Sequence, residues 1–231
     1  MNGLWNLISD DFLYVTLSGT DEGMEAGVDM DVPDNVFVLS SGGVGNVPLN
    51  LFLRDYEPIQ VKENPKYTAV FMGRIGTHKI REEMDKICKE TLGDRYFSGF
   101  SNEKKWTEIY SNSKAILCPR GNGRNSYRLT EVLQMGLIPI YVYNDIPWVP
   151  YYDSIEWEKF GFVTKIGDLA KVLKKIDKMN YTELTEMRNR VRSLSSTHFT
   201  VAGAMGQIAK FLKYGFHGTD LRCAERRVLK G

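Results

Sequence analysis

The sequence Ala-Ile-Leu-Cys-Pro-Arg-Gly-Asn-Gly-Arg-Asn-Ser-Tyr-Arg-Leu-Thr-Glu spans residues 115–131 and decides which fold we expect. An apolar run from Ala115 to Cys118 leads into a polar loop with two glycines, and a helix is predicted to begin near Ser126. Glycines let a backbone approach a ligand closely, and the N–H groups at a helix start attract an anion. The stretch therefore predicts a phosphate-binding turn in an α/β protein.

A carboxylate accompanies the positive charges of this loop. Glu131 follows Arg128 by three residues, so both lie on one face of the predicted helix. Arg128 is placed to neutralise a diphosphate, and Glu131 is placed to accept hydrogen bonds from ribose hydroxyls. An exposed i,i+3 ion pair would explain the same spacing. If Glu131 instead binds a nucleotide, Glu131→Ala should weaken nucleotide binding without unfolding the protein.

The predicted ligand contacts extend over the whole loop. Asn125 or Ser126 would also serve as an ordinary helix N-cap, which is compatible with phosphate binding. The candidate binding residues here are Arg120, Gly121, Asn122, Gly123, Asn125, Ser126, Arg128 and Glu131.

Outward from this loop, short apolar runs alternate with helical segments. Such alternation predicts a parallel sheet with helices on both faces. The predicted strands are Tyr67–Met72, Tyr96–Phe100, Ala115–Cys118, Leu137–Tyr143 and Phe162–Lys165. The predicted helices are Thr77–Leu92, Asn102–Ser111, Ser126–Met135, Ser154–Phe160, Asp168–Met179, Tyr181–Ser195 and Val201–Tyr214.

A second glycine-containing turn follows the first of these strands. Ligands of open parallel sheets lie beyond the carboxyl ends of the strands. Gly73 and Arg74 lie at such an end, so we expect them to contact a second phosphate. An ordinary strand-to-helix turn with a solvated arginine is the alternative. Arg81, inside the next helix, is predicted to be a surface charge.

The first sixty residues are less regular. They contain two short predicted strands, Phe12–Leu17 and Val36–Leu39, and a proline-bounded polar stretch follows at residues 57–65. We therefore divide the chain into residues 1–62, a partial N-terminal half, and residues 63–231, a Rossmann-like domain with C-terminal helices.

Composition excludes several classes of protein. The 231 residues carry 30 basic and 29 acidic side chains, so nothing favours nucleic acid or an anionic membrane as partner. Three widely spaced cysteines argue against a disulfide framework or a zinc site. The sequence has neither a signal-peptide pattern nor an apolar stretch of membrane-spanning length, which predicts a soluble, intracellular protein.

The motifs also resemble a known family. The segments 117–121, 128–131 and 136–140, continued by 145–150 and 155–160, are similar to the signature of the exostosin-like glycosyltransferases (glycosyltransferase family 47). Trp5-Asn6, Asp11-Phe12 and the loop at 20–23 are similar to an N-terminal segment of that family. Phe12 stands where the family has a histidine, so no role of that histidine carries over.

The resemblance implies a GT-B arrangement of two Rossmann-like halves. It also implies a UDP-sugar donor held mainly by the second half, a glycan or glycoprotein acceptor, inversion at the anomeric carbon, and no obligatory metal or other cofactor. The short first half is more like compact members from large algal DNA viruses, for which xylosyl transfer would fit.

An inverting transfer requires a base that deprotonates the acceptor hydroxyl. Because the second half supplies the cations, we expect the base in the first half, at Asp21, with Glu22 as second choice. Asp29-Met30-Asp31 has the spacing of a metal-binding motif but is predicted to lie in a loop, so no metal ligands are assigned.

Two other functional classes remain open. A catalytically inactive nucleotide- or glycan-binding module would share the phosphate turn, as would another doubly wound nucleotide-dependent enzyme. No Walker lysine follows the glycines and no full Gly-x-Gly-x-x-Gly fingerprint is present, which disfavours an ATPase or a dehydrogenase.

Overall fold

The computed structural model describes residues 6–21, 32–43, 45–100 and 103–223, without the side chains of residues 103–105. The strands are β1 (Tyr14–Ser18), β2 (Val36–Ser40), β3 (Val47–Pro48), β4 (Tyr67–Met72), β5 (Tyr96–Gly99), β6 (Ser113–Pro119), β7 (Pro139–Tyr143) and β8 (Phe162–Lys165). The α-helices are α1 (Lys79–Leu92), α2 (Glu103–Ser111), α3 (Tyr127–Gln134), α4 (Leu169–Lys178), α5 (Tyr181–Leu194) and α6 (Val201–Tyr214).

The strands form two parallel sheets. Strands β1, β2 and β3 pair in that order, and the larger sheet has the order β5-β4-β6-β7-β8. The expected α/β class is therefore confirmed, and two Rossmann-like parallel sheets are the layout that a GT-B-like fold requires. The smaller sheet falls within residues 1–62 and the larger within 63–231, and the boundary itself stays a prediction.

The larger sheet is buried on both faces. In β4, Val70 and Met72 point into one apolar cluster, whereas Ala69 and Phe71 point into the other. This alternation follows from the two-residue period of a strand. Helix α3 covers the first face and helices α1 and α4 cover the second, which explains why the strands are apolar without interruption.

The order of the strands creates a crevice at one edge of this sheet. Strand β4 lies between β5 and β6, so the chain leaves β4 in one direction and returns on its other side. In open α/β sheets the ligand crevice lies beyond the carboxyl ends of the strands at such a switch point. The turns at Gly73 and Arg120 follow β4 and β6, and both therefore border this crevice.

Helix α3 ends as the sequence predicts. Gly136 has φ +70°, its N–H donates to the Leu133 carbonyl at 3.2 Å, and the Leu137 N–H donates to the Val132 carbonyl at 3.0 Å. This is a Schellman motif, in which glycine provides the left-handed residue. The stop fixes the length of α3 and directs the chain into β7.

One predicted helix is wrong. Residues 154–160 contain only a 3₁₀ turn at Trp157–Lys159. Tyr151 has φ +61°, and Ile155, Trp157 and Phe160 all enter the apolar core. Because these positions do not share one face of an α-helix, core packing overrides the local helical preference.

Side-chain hydrogen bonds join the half that carries β1–β3 to the rest of the chain. The Trp148 indole donates to the Ser40 carbonyl at 3.0 Å, the Asn125 amide to the Leu49 carbonyl at 2.8 Å, and the Asn50 amide to the His198 carbonyl at 2.8 Å. Trp148 is fully buried and belongs to this interface. Within the described ranges, no helix is both long and apolar enough to cross a bilayer.

Candidate functional site

A cleft of about 310 Å³ lies beyond the carboxyl ends of β4 and β6, where the ligand site was predicted. It is bounded by the ends of β4 and β6, by α1 and by the start of α3. Its lining includes most of the predicted binding residues together with one predicted base. The lining residues are Asp21, Leu51, Leu53, Phe71, Met72, Gly73, Thr77, Arg81, Gly121, Asn122, Asn125, Ser126, Tyr127, Arg128 and Glu131.

The N-terminus of α3 opens into this cleft. Ser126 is the N-cap, with φ −146° and ψ 132°, and its side chain makes no capping hydrogen bond within the described part of the chain. The backbone N–H of Ser126 donates to the side-chain oxygen of Asn125 at 2.7 Å. Ser126 and Tyr127 line the cleft, so the start of α3, where a helix attracts an anion, is part of its wall.

Arg128 and Glu131 form a pair that is largely shielded from solvent. Arg128 Nη1 lies 2.9 Å from Glu131 Oε2, and the two side chains are 23% and 9% exposed. The Tyr56 hydroxyl donates to Glu131 Oε1 at 3.2 Å. The rings of Trp106 and Tyr110 lie 6.0 and 5.8 Å from the Arg128 guanidinium. An exposed surface ion pair is therefore the wrong description, because both groups are held in place at the cleft wall.

Arg81 also lines the cleft, which corrects its prediction as a surface charge. Its Nε donates to the Arg120 carbonyl and its Nη1 to the Arg74 carbonyl, both at 2.9 Å. Burial, and then the positive charge of Arg128, lower the pKa of Arg81 to about 10. Both guanidinium groups stay protonated at neutral pH and repel each other, so an anion between them would be stabilised by both.

Arg120 and Arg124 have a different role. Arg120 Nη1 and Arg124 Nε lie 3.1 and 3.0 Å from the same oxygen, Asp145 Oδ2. Burial alone would raise the pKa of Asp145, but the Ile146 N–H and these two guanidinium groups hold it below its ordinary value. Arg120 and Arg124 thus fix the loop that follows β7, and neither side chain lines the cleft.

Asp21 reaches the cleft from the smaller sheet. The Asn122 amide lies 3.5 Å from Asp21 Oδ2, so the predicted base meets the loop between β6 and α3. A Cβ added to Gly123 would overlap the Asp21 and Gly42 carbonyl oxygens. Gly123 is thus needed for contact between the two halves, whereas a Cβ on Gly121 would make only ordinary contacts, the nearest 3.6 Å from Arg81 Nη2.

The other predicted residues divide into three groups. Gly73 lines the cleft, whereas the Arg74 guanidinium lies 5.5 Å from the ring of Phe100 at the surface. Glu22 and the Asp29-Met30-Asp31 motif lie outside the described residues. Among the residues that are described, no group of three or more His, Cys, Asp or Glu side chains is placed to hold a metal ion.

Arg81, which lines the cleft, and Tyr56, which contacts Glu131, were not predicted as site residues, and both leave a signal in the sequence. Arg81 lies in the first turn of α1, where a positive charge opposes the helix dipole unless an anion compensates it. Tyr56 is an aromatic residue in an otherwise polar segment before Pro58. The unfavourable charge of Arg81 and the aromatic ring of Tyr56 among polar neighbours were thus the signals of these two site residues in the sequence.

Comparison with curated proteins identifies several relatives. A protein of Arabidopsis thaliana named "Probable glycosyltransferase" is 29% identical over 166 residues, which is 70% of this chain and 33% of the relative. A protein of Physcomitrium patens named "Probable glucuronosyltransferase 47 A" is 32% identical over 99 residues, 42% of this chain and 22% of the relative. Exostosin-1 of Drosophila melanogaster is 27% identical over 165 residues, 58% of this chain and 20% of the relative.

Solved structures with a similar fold are more distant in sequence. TarM has a TM-score of 0.48 at 14% identity, covering 80% of this chain and 39% of TarM. The pneumococcal O-GlcNAc transferase GtfA, in complex with UDP and GlcNAc, has a TM-score of 0.47 at 14% identity, covering 88% of this chain and 45% of that protein. The fold assignment rests on the sheet topology and not on these scores.

No protein-family model matches the chain. The chain spans about a third of the length of the Arabidopsis relative and less of the other two. The resemblance that the motifs indicate is nevertheless confirmed by these relatives: over this shared segment, the chain is similar to the exostosin-like glycosyltransferases.

Proposed function

We propose that the cleft binds a UDP-sugar and that the protein transfers the sugar to a glycan acceptor with inversion at the anomeric carbon. The observation that carries this proposal is the meeting of three features in one cleft: the N-terminus of α3, the Arg128–Glu131 pair and the Arg81 guanidinium. The relatives named as glycosyltransferases support the reaction class.

The donor would extend along the wall of the cleft. Its diphosphate would lie against the first N–H groups of α3, between Arg81 and Arg128, where preorganised positive charge stabilises an anion. The ribose hydroxyls would donate to Glu131, whose two oxygens are already oriented by Arg128 and Tyr56.

In the transfer step, the acceptor hydroxyl oxygen forms a bond to the anomeric carbon while the bond from that carbon to the diphosphate oxygen breaks. The bonding electrons leave with UDP, and the acceptor proton passes to the Asp21 carboxylate. Fixed donors and cations that face the leaving group lower the barrier, because charge develops there in the transition state. Since Arg81, Arg128 and the helix terminus would supply this charge, we expect no obligatory metal.

Calorimetry with UDP, GDP and NAD tests the ligand class, and we expect UDP to bind. Hydrolysis of a panel of UDP-sugars, with and without EDTA, tests the reaction, and we expect UDP-xylose to be consumed equally in both conditions. Failure to bind UDP would overturn the proposal, and loss of activity in EDTA would overturn the metal-free mechanism. Binding of UDP without turnover of any donor would favour an inactive binding module.

A further inference from the structure

Two glycines pack against the backbone of Asp21, the proposed base. A Cβ added to Gly42 would overlap the carbonyl oxygens of Thr20 and Asp21. A Cβ added to Gly123 would overlap the same Asp21 oxygen. Asp21 is therefore in close contact with Gly42, of the smaller half, and with Gly123, of the loop between β6 and α3. The position of Asp21 at the cleft thus depends on the position of this loop.

Arg124 connects both of these contacts. It follows Gly123 in the chain, and its N–H donates to the Gly42 carbonyl at 2.8 Å. Its side chain lies along Gly43, where an added Cβ would come within 3.3 Å of Arg124 Nη1. Arg124 therefore connects the larger domain to the segment that packs on Asp21.

The Asp145 carboxylate orients the Arg124 side chain. Arg124 Nε lies 3.0 Å from Asp145 Oδ2, and the two side chains are only 14% and 31% exposed. The other carboxylate oxygen accepts from the Ile146 N–H at 2.8 Å, which fixes the carboxylate in turn. The Tyr141 hydroxyl donates to the Arg124 carbonyl. Tyr141, in β7, and Asp145, just after it, therefore hold both the backbone and the side chain of Arg124.

Asp145 also binds the other arginine of the loop. Arg120 Nη1 lies 3.1 Å from the same oxygen, Asp145 Oδ2, and Arg120 Nη2 donates to the Asn122 carbonyl at 3.0 Å. Asp145 itself does not line the cleft. Because two guanidinium groups at one point repel each other unless an anion lies between them, removal of this carboxylate should displace the loop.

We infer that Asp145 is a positioning residue for the transfer, because it holds Arg124 and, through Arg124, keeps Asp21 in place. This inference rests on the proposed function, since it concerns the base of that reaction. Misplacement of a reacting group by about 1 Å can lower a rate by about 100-fold. Arg128 and Glu131, by contrast, hold each other on α3. Loss of Asp145 should therefore affect the transfer rate far more than the affinity for UDP.

The first test compares kcat, measured with the UDP-sugar found to be a donor, with UDP affinity measured by calorimetry. Asp145→Asn should lower kcat by ~10- to 100-fold, because the base is displaced. Its UDP affinity should stay within ~3-fold of wild type. Asp153→Asn removes an exposed carboxylate from the same domain and is the matched control, which should change neither quantity. An unchanged kcat, or equal losses of kcat and UDP affinity, would overturn the inference.

The Asp21→Asn protein shows whether Asp145 acts through the base. In that protein, the further change Asp145→Asn should lower the residual rate by less than ~3-fold, because the base that Asp145 positions is already inactive. With Asp21 intact, Arg124→Gln should reproduce the loss seen in Asp145→Asn, and both changes together should cost little more than either alone. A full ~10- to 100-fold loss in the Asp21→Asn protein would mean that Asp145 acts on another group, contrary to the inference.

Thermal unfolding tests the contact between Asp145 and Arg124 without any ligand. Asp145→Asn and Arg124→Gln should each lower Tm, and the double variant should lose less than the sum of the two changes. Additive losses would mean that the two side chains do not interact in solution, which would overturn the inference whatever the protein binds. Coupled losses in a protein that binds no UDP and transfers no sugar would instead overturn the proposed function.

Discussion

Glu131 is held by Arg128 and Tyr56 and is proposed to bind a ribose. Its contribution to stability and its contribution to nucleotide binding can be measured separately. Glu131 is paired with Arg128 at 2.9 Å, and the Arg128 side chain is only 23% exposed. Removing one member of a shielded pair leaves the other charge without compensation, which is costly, although partial exposure reduces the effect. Glu131→Ala should therefore still fold, as expected from the sequence, but with a lower free energy of unfolding.

We expect Glu131→Ala to lower the free energy of unfolding by about 2 kcal/mol, which corresponds to a fall in Tm of about 4–8 °C for a chain of this size. The control is Glu90→Ala, which breaks the exposed Lys86–Glu90 pair on α1 and should leave Tm nearly unchanged. Ligand contact is measured separately by comparing UDP with 2′,3′-dideoxy-UDP in both proteins. Wild type should prefer UDP and Glu131→Ala should not. A preference that survives the substitution would place the ribose elsewhere.

Arg81 provides a second test among single residues. It donates to two backbone carbonyls and lines the same cleft as Arg128, so we expect its charge to act on an anion bound there. Arg81→Gln should weaken UDP binding by about tenfold or more, because hydrogen bonds to charged groups contribute about 1.5–3 kcal/mol. Lys79→Gln removes the same charge from an exposed position in the same helical turn and is the matched control. If calorimetry shows that Arg81→Gln and Lys79→Gln weaken UDP binding equally, Arg81 does not contact the ligand and acts only through the net charge.

Among the elements, the loop from β6 to α3 combines a binding surface with a contact between sheets. Its two glycines have different surroundings. A Cβ at Gly121 would meet only Arg81 Nη2 and the Asn125 carbonyl, at 3.6 and 3.8 Å, whereas a Cβ at Gly123 would overlap two carbonyl oxygens. The same chemical change should therefore have two different consequences.

We expect Gly121→Ala to fold with a Tm within about 2 °C of wild type and to bind UDP more weakly, since the methyl group occupies the cleft. Gly123→Ala should lower Tm by about 4 °C or more, because the backbones of the two halves must separate. Thermal denaturation and calorimetry on the two variants check this. A stable Gly123→Ala protein would mean that the two loops do not touch in solution.

The elements also show why sequence reasoning succeeds for the larger sheet and fails elsewhere. The bounds of β4 and β8 are those predicted, because apolar runs bounded by polar turns specify doubly buried strands. The end of α3 was predictable because Gly136 has a local signature. Residues 154–160 were not, since the burial of Trp157 and Phe160 depends on long-range packing.

The same division applies to the site. The loop residues could be found from glycine spacing and charge, since these requirements are local. The position of Arg81 depends on the order β5-β4-β6, which brings α1 and α3 together at the cleft. The position of Tyr56 depends on a long-range contact with Glu131. That Arg120 and Arg124 share Asp145 is likewise a consequence of β7 pairing with β6.

At the scale of the whole molecule, the cleft is complete only because the smaller sheet lies against the larger one. The loop between β6 and α3 is bound to the half that carries the smaller sheet. The Arg124 N–H donates to the Gly42 carbonyl at 2.8 Å, and the Asn125 amide donates to the Leu49 carbonyl. Asp21, Leu51 and Leu53 of this half line the cleft. If the larger domain binds the UDP-sugar and the smaller half provides the catalytic base, activity requires both halves.

This dependence gives the last prediction. Asp21→Asn keeps the size of the side chain but removes its ability to accept a proton, so transfer should fall roughly 100- to 10,000-fold. The affinity for UDP should stay within about twofold, because Asp21 lies at the rim, 3.5 Å from the Asn122 amide, whereas the cations are contributed by the other half. Asp34→Asn removes an exposed carboxylate from the same half and should leave both quantities unchanged. The measurements are the rate of sugar transfer from the UDP-sugar found to be a donor, and calorimetry with UDP. Full activity in Asp21→Asn would exclude Asp21 as the base, and a parallel loss of UDP affinity would assign it to donor binding instead.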